Sequence, residues 1–266
     1  MAKIGFIGMG NMGTAIMRGL LKTYKPEELL FTSAHEAKMQ KITEETGVAH
    51  VSTATDCAEQ VKYLVLAVKP QILPTVFKEL NGKLRKDQVV ISIAAGYAIA
   101  DLQAGLGDSA RIVRSMPNTP AMVGEGMSGV SYDEALFTDE EKDVIDGFFT
   151  SFGKMEKVDE KLMDVVGSAS GCSPAYVYMF IEALADGCVK NGLPRQAAYK
   201  MVAQAVLGSA KMVLETGKHP GELKDMVCSP GGTTIEGLAA LEENGFRGAI
   251  IKACDANFEK NKKLKG

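Results

Sequence analysis

The sequence lacks the features that mark membrane proteins and nucleic-acid binders. Its longest apolar run, residues 63–68, is far shorter than the roughly 18 residues that a membrane-spanning helix needs. The formal net charge is only −3, which argues against binding to nucleic acid through phosphate contacts. Because the glycine-rich start begins at Gly5, we also expect no signal peptide.

Cysteine is scarce and scattered. The five cysteines are Cys57, Cys172, Cys188, Cys228 and Cys254. No two of them have the spacing of a metal site or a redox motif. We therefore expect reduced thiols, no metal centre and a cytoplasmic location.

The chain has 266 residues, enough for two domains of ordinary size, and 46% of its residues are hydrophobic. Short apolar segments alternate with amphipathic ones in the first part. The predicted strands are 3–7, 29–32, 63–68, 89–93, 111–113 and 155–158, the last following a glycine-rich stretch at 124–130. The predicted helices are 11–21, 37–46, 71–80, 99–104 and 140–152. Apolar strands alternating with helices indicate a parallel sheet that is covered on both faces.

The pattern changes near residue 159, after which only helices are predicted, notably over 175–190 and 196–215. The sequence thus predicts an α/β fold: a Rossmann-type, doubly wound, mostly parallel sheet in residues 1–158, then an all-α domain in residues 159–266. The helix over 196–215 is apolar around most of its circumference and must be buried on most sides. We infer that it packs against another subunit; the alternative is an internal helix in a monomer.

The segment Gly8-Met9-Gly10-Asn11-Met12-Gly13 is a G-x-G-x-x-G motif between the first strand and the first helix. Gly8 permits the tight turn, Gly10 lets a pyrophosphate approach the backbone, and Gly13 lets the helix pack closely on the strand. The free amides and positive dipole of the helix N-terminus favour phosphate. In this context the motif predicts a dinucleotide site rather than an ordinary glycine-rich turn.

The residues at the end of the second predicted strand help to distinguish an NAD site from an NADP site. An NAD site usually has an acid there, about 20 residues after the motif, to hold the ribose hydroxyls. This chain reads Phe31-Thr32-Ser33-Ala34-His35-Glu36, with hydroxyls and a histidine in that place. We therefore favour NADP (NADPH), while Glu36 keeps NAD possible. His35 is either a cofactor contact or an exposed loop residue.

Two further loops follow predicted strands and should face the same ligand, because ligands bind outside the carboxyl ends of parallel strands. They are Ala67-Val68-Lys69-Pro70 and Ala94-Ala95-Gly96, and the segment Ser115-Met116-Pro117-Asn118-Thr119-Pro120 should reach the same crevice. Lys69 is a candidate base, a phosphate contact, or neither.

The second domain carries the segment Ser229-Pro230-Gly231-Gly232-Thr233-Thr234 before a predicted helix. Two glycines ahead of a helix N-terminus expose backbone amides, and such a nest binds anions. The residues themselves leave two interpretations open: a carboxylate pocket, or a helix N-cap.

The chain resembles the pyrroline-5-carboxylate reductase family over essentially its whole length. The resemblance rests on the glycine-rich start, the Ala67–Pro70 loop, Asn118-Thr119-Pro120, Ser170-Gly171 with Pro174-Ala175-Tyr176, and above all Leu223-Lys224-Asp225 with the 229–234 segment. It implies reduction of the cyclic imine Δ1-pyrroline-5-carboxylate to L-proline with NAD(P)H, the last step of proline synthesis. It also implies a Rossmann domain, a helical dimerisation domain with swapped helices, and dimers that often assemble into decamers.

Carried over residue by residue, the resemblance implies two sets of site residues. Ser229 and the amides of Gly232, Thr233 and Thr234 hold the substrate carboxylate, the Thr234 hydroxyl is the partner of the ring nitrogen, and Glu160 lies near the substrate. The implied cofactor residues are Ile7, Gly8, Met9, Gly10, Asn11, Met12, Ser33, Ala67, Val68, Lys69, Pro70 and Ala95. Thr233 stands where many relatives have alanine, and Cys172-Ser173 where Ser-Gly is common; neither change removes a proposed donor.

Two rival functions would require different residues. A β-hydroxyacid dehydrogenase places a catalytic lysine early on the first long helix of its second domain, whereas this chain has none there before Lys190. A non-catalytic NADP-binding regulator would not need the anion-binding turn at 229–234.

Overall fold

The chain forms two compact units in the computed structural model, which describes residues 3–263. Of these residues, the first unit contains 3–172 and 257–263, and the second contains 173–256. The domain boundary after residue 158 stays a prediction. No helix within 3–263 combines the length and apolar character that crossing a membrane requires.

The first unit is built on one eight-stranded sheet with the strand order β3-β2-β1-β4-β5-β6-β7-β8. The strands are β1 Ile4–Ile7, β2 Leu29–Thr32, β3 Ala49–His50, β4 Tyr63–Leu66, β5 Val89–Ser92, β6 Arg111–Met116, β7 Gly126–Ser131 and β8 Gly153–Lys157. The first six strands are mutually parallel, β7 is antiparallel to β6, and β8 is parallel to β7. The predicted α/β fold with a mostly parallel sheet is confirmed.

Among residues 3–172, seven helices accompany this sheet. They are α1 Asn11–Leu20, α2 Glu36–Thr46, α3 Ala54–Glu59, α4 Leu73–Leu80, α5 Ile99–Leu106, α6 Asp139–Thr150 and α7 Met163–Val166, the last leading into a π-helical turn, Gly167–Gly171. The start of α6 shows how sequence sets a boundary: the Thr138 hydroxyl accepts from the Glu141 amide, and the Glu141 carboxylate accepts from the Thr138 amide. This reciprocal capping box satisfies two amides that would otherwise lack partners.

The sheet has a hydrophobic core on each face, because neighbouring residues of a strand point to opposite sides. Ile4 and Phe6 of β1 lie in one core with side chains of α1, α2 and α6. Ile7 lies in the other, with side chains of α3, α4 and α5. The central strands are buried throughout, as the continuous apolar segments predict for a sheet covered on both faces.

The second unit is entirely helical among its described residues. Its helices are α8 Ser173–Lys190, α9 Arg195–Thr216, α10 Pro220–Val227, α11 Thr233–Glu243 and the first part of α12 Phe246–Lys263. Its small core consists of buried Ala185, Ala198 and Val202 with partly buried neighbours.

Large apolar side chains of α9 remain exposed in the single chain. Met201 is 61% exposed, Leu207 57% and Leu214 83%. Helix α9 is the helix that the sequence indicates is apolar on most sides. A patch of this kind marks an interaction surface, which supports the prediction that α9 packs against another subunit.

Candidate active site

The predicted cofactor loops lie at one edge of the sheet, because they follow the carboxyl ends of the parallel strands β1, β2, β4 and β5. Backbone hydrogen bonds hold neighbouring strand ends together. The Gly8 amide donates to the Thr32 carbonyl at 2.9 Å, and the Ala67 amide donates to the Ile7 carbonyl at 2.8 Å. This is the edge at which ligands bind in open α/β sheets.

The three motif glycines have different surroundings. Gly8 has a φ of +95°, and a Cβ there would lie 2.6 Å from the Val68 Cγ1 atom. A Cβ on Gly13 would lie 2.7 Å from the Gly8 carbonyl oxygen. A Cβ on Gly10 would meet no atom within 4 Å. Gly8 and Gly13 are therefore required by the fold itself, whereas Gly10 leaves an open surface for a ligand.

The N-terminus of α1 is open to an anion. Gly10 is the N-cap residue, and within the described residues no side chain caps the helix. The first amides, beginning with Asn11 and Met12, are thus available, and the helix dipole favours negative charge there. The side chains of Ile7 and Met9 are buried in the cores, so these two residues have only backbone atoms to offer a cofactor.

A cleft of about 710 Å³ opens at the same edge. Ile7, Gly8, Ser33 and Val68, all predicted cofactor residues, line it. Sequence reasoning missed eight further polar lining residues, which are Ser52, Thr53, Thr55, Asp56, Thr75, Lys78, Glu79 and Lys83. Several follow β3, which has only two residues and so leaves no periodic signal in the sequence.

The remaining predicted cofactor residues lie on neighbouring loops. Lys69 is exposed and precedes a short 3₁₀ turn, Pro70–Ile72, while Ala67 and Ala95 are partly exposed. These residues do not line the 710 Å³ cleft, and their contacts with a cofactor stay predictions.

Glu36, the acidic residue that follows β2, is already paired with another side chain. The Glu36 carboxylate lies 3.2 Å from the Nε2 atom of His50, and the Thr43 hydroxyl lies 2.8 Å from the Nδ1 atom of the same ring. Glu36 is also the first residue of α2. Its carboxylate is therefore directed to β3, while exposed His35 precedes the helix.

The second unit carries the predicted anion-binding turn between α10 and α11. Gly231 has a φ of +65°, which lets the chain reverse before the helix. Gly232 is the N-cap residue of α11, and none of the described side chains caps this helix. The amides of Thr233 and Thr234 therefore stand at an uncapped helix N-terminus, a favourable place for a carboxylate.

The side chains of this turn are accessible, since Ser229 and Thr234 are both exposed. The Gly232 amide, in contrast, donates to the Ser229 carbonyl at 3.0 Å. Its predicted role as a carboxylate donor therefore requires that this bond be shared or given up.

Glu160, the predicted residue near the substrate, lies in the first unit. Its carboxylate accepts from the Ile99 amide at 2.6 Å and pairs with Arg114 at 3.2 Å. No pattern in the sequence indicates these two contacts, because they join residues 61 and 46 positions apart. A direct contact of Glu160 with substrate stays a prediction.

Two family models match the chain. Residues 160–264 match the model described as pyrroline-5-carboxylate reductase dimerisation. Residues 3–96 match the model described as NADP oxidoreductase, coenzyme F420-dependent. The first supports self-association through the helical region, and the second supports a nicotinamide dinucleotide as cofactor.

Curated and solved relatives match over nearly the whole chain. The pyrroline-5-carboxylate reductase of Escherichia coli is 47% identical over 264 residues, 98% of each protein. The Arabidopsis thaliana enzyme is 41% identical, covering 98% of this chain and 95% of that protein. The crystal structure of the Plasmodium falciparum pyrroline carboxylate reductase with NADP bound has a TM-score of 0.89 at 35% identity, covering 100% of this chain and 98% of that one. The chain belongs to the pyrroline-5-carboxylate reductase family.

Proposed function

We propose that this chain is an NAD(P)H-dependent oxidoreductase that reduces the C=N bond of Δ1-pyrroline-5-carboxylate to give L-proline. The proposal rests chiefly on the presence of two candidate anion-binding sites in a member of this family. One is the uncapped N-terminus of α1, which follows Gly10, and the other is the uncapped N-terminus of α11, which follows Gly232.

The first unit fits a dinucleotide. The open surface over Gly10 leaves room for a pyrophosphate, and the amides of Asn11 and Met12 can donate to it. The cleft lined by Gly8, Ser33 and Val68 accommodates the adjoining ribose. The bound cofactor supplies the hydride. The loops with Ala67, Val68, Lys69, Pro70 and Ala95 are proposed to complete the site.

The second unit is proposed to orient the substrate. The Ser229 hydroxyl and the amides of Thr233 and Thr234, joined by that of Gly232 if its turn bond is shared, hold the substrate carboxylate. The Thr234 hydroxyl contacts the ring nitrogen. That nitrogen must carry a proton before or during the reduction, and solvent can supply it near neutral pH, so no strongly acidic side chain is needed. Positioning of this kind supplies roughly 7–11 kcal/mol in favourable cases.

We further propose that NADPH is the preferred cofactor. The Glu36 carboxylate contacts the His50 ring at 3.2 Å. The acid that would bind the ribose hydroxyls of NAD is therefore already paired with another side chain. The ratio of kcat/KM for NADPH to that for NADH tests this. A ratio above one supports it, and a ratio below one contradicts it.

The assembly is proposed to be a homodimer through the helical unit, with a decamer as the larger form. The exposed apolar side chains of α9 support a partner copy. Sedimentation equilibrium distinguishes the forms, and a monomer at micromolar concentration contradicts both. A cytoplasmic location is proposed from the free cysteines and is tested by cell fractionation.

The function is tested by mixing the protein with NADPH and the cyclic imine and following the loss of reduced cofactor. Turnover supports the reductase. Turnover only on a hydroxyacid with NAD(P) would indicate a β-hydroxyacid dehydrogenase, and cofactor binding without turnover would indicate a regulator.

Thr234→Ala tests the substrate assignment. The variant should bind NADPH normally but turn over more slowly, because only the partner of the ring nitrogen is removed. Thr150→Ala is the matched control, since its exposed hydroxyl bonds only within α6. Unchanged kcat and KM in Thr234→Ala would refute the assignment.

A further inference from the structure

A cluster of charged side chains surrounds one buried arginine of the first unit. Arg114 is the fourth residue of β6, and its side chain is only 4% exposed. Its guanidinium nitrogens lie 3.2 Å from the Glu160 carboxylate and 3.4 Å from the Asp164 carboxylate. A buried guanidinium is tolerated only when it is paired. Arg114 therefore fixes the segment that contains both carboxylates against the sheet.

Glu160 in turn adds a second contact at the N-terminus of α5, where the Asp101 carboxylate already accepts from the Ala98 amide at 2.8 Å. The N-cap residue of α5 is Ala98, whose methyl group cannot accept a hydrogen bond. The Glu160 Oε1 atom, which also contacts Arg114, accepts from the Ile99 amide at 2.6 Å. A carboxylate at this place satisfies a free amide and complements the helix dipole. A distant side chain thus satisfies the Ile99 amide, which the local Asp101 carboxylate does not reach.

The segment that this cap holds is the loop over 94–98, which joins β5 to α5. Its upstream end is fixed where the Ser115 hydroxyl donates to the Ser92 carbonyl at 2.9 Å. Its downstream end is held at Ala98 by Asp101 and at Ile99 by Glu160. Between them lie Ala95, a proposed cofactor residue, and Gly96, with a φ of +85°. The position of Ala95 therefore depends in part on the direction of the Glu160 carboxylate.

We propose that Arg114 is a positioning residue for the reductase reaction. Its guanidinium holds the Glu160 carboxylate on the Ile99 amide and so fixes the 94–98 loop against the nicotinamide end of the cofactor. Arg114 acts through Glu160 and touches neither substrate nor cofactor. This inference rests on the proposed function, because it assigns the loop to the cofactor.

The test compares Arg114→Met with Arg111→Met in the full-length enzyme. Both variants remove a paired arginine of β6, but Arg111 pairs with Glu141, outside the Arg114 cluster. Arg114→Met should raise the KM and Kd for NADPH by roughly 10-fold, the effect of weakening about one hydrogen bond to the cofactor. Arg111→Met should lower the Tm and leave both constants unchanged.

A double-mutant cycle tests the coupling. If Arg114 acts through Glu160, then Arg114→Met combined with Glu160→Ala should raise the NADPH Kd no further than the more damaging single change. Multiplying effects would overturn the proposal. Arg114→Lys provides a milder variant if Arg114→Met does not fold. Lysine keeps the charge but cannot contact the Glu160 and Asp164 carboxylates with two separate nitrogens, so we expect a smaller rise in the Kd for NADPH.

Measuring NADPH binding and imine turnover separately distinguishes the positioning role of Arg114 from the proposed reductase function. NADPH binding is measured by fluorescence titration without the imine, so it does not depend on the identity of the substrate. Arg114 variants that lower the Tm but bind NADPH like the wild type would overturn the positioning role. Wild-type protein that binds NADPH but does not turn over the imine would overturn the proposed function instead.

Discussion

Replacing Gly10 with alanine separates cofactor binding from folding. Gly10 has φ −72° and ψ −172°, which alanine adopts readily, and an added Cβ would meet no protein atom within 4 Å. The free energy of unfolding should therefore change by no more than about 0.5 kcal/mol, since the gain through the unfolded chain and the loss at the N-cap are of similar size and opposite sign. The methyl group would instead stand where the pyrophosphate approaches the backbone.

The size of the binding effect follows from the hydrogen bonds between backbone amides and pyrophosphate that the methyl group would prevent. Hydrogen bonds to charged groups contribute about 1.5–3 kcal/mol. Without one of them, the Kd for NADPH rises roughly 10-fold to 100-fold. Gly13→Ala is the contrasting variant, because its Cβ would lie 2.7 Å from a backbone oxygen, that of Gly8. Overpacking of this kind costs about 1–3 kcal/mol of stability.

Two measurements distinguish the variants: NADPH titration by fluorescence, and urea unfolding. Gly10→Ala should show weakened binding with unchanged unfolding, and Gly13→Ala a lowered unfolding midpoint. If Gly10→Ala binds NADPH as tightly as the wild type, the pyrophosphate does not lie over Gly10. If it unfolds as readily as Gly13→Ala, Gly10 is a packing residue.

Two further predictions concern buried groups. Hydrogen bonds from Arg111 lower the pKa of Glu141 from 4.5 to about 2, so this carboxylate adds about 3 kcal/mol of stability above pH 4.5, which is lost as the pH falls toward 2. Glu141→Gln should thus destabilise the protein at pH 7 but much less at pH 2.5 in urea unfolding, and an equal loss at both pH values would contradict this. Burial raises the pKa of Cys57 to about 12, and its side chain is fully buried, so native protein should resist a thiol reagent at Cys57. Peptide mass spectrometry that finds Cys57 modified as fast as Cys228 would contradict that.

The strands of the first unit are predictable because they are continuous apolar segments. The starts and ends of β1, β2, β4 and β5 agree with the predicted ones to within two residues. The edge strand β3 is missing from the predicted strands because it has only two residues. The reversed direction of β7 also leaves no sequence signal, since parallel and antiparallel pairing use the same alternation of side chains.

The residues of the candidate site also differ in whether the sequence predicts them. Gly8, Gly10 and Gly13 are predictable because short-range backbone geometry demands them. The partners of Glu160 are not, because its contacts with Ile99 and Arg114 depend on how distant segments pack. Site residues that lie close together in the sequence can be predicted from it. The residues that support them from distant segments can be identified only from the three-dimensional structure.

A crystal structure of this protein with NADP and L-proline bound tests the central claim most directly. We predict the proline carboxylate within about 2.7–3.2 Å of the amides of Thr233 and Thr234, with the ring nitrogen facing the Thr234 hydroxyl. Proline bound away from residues 229–234 would contradict the account.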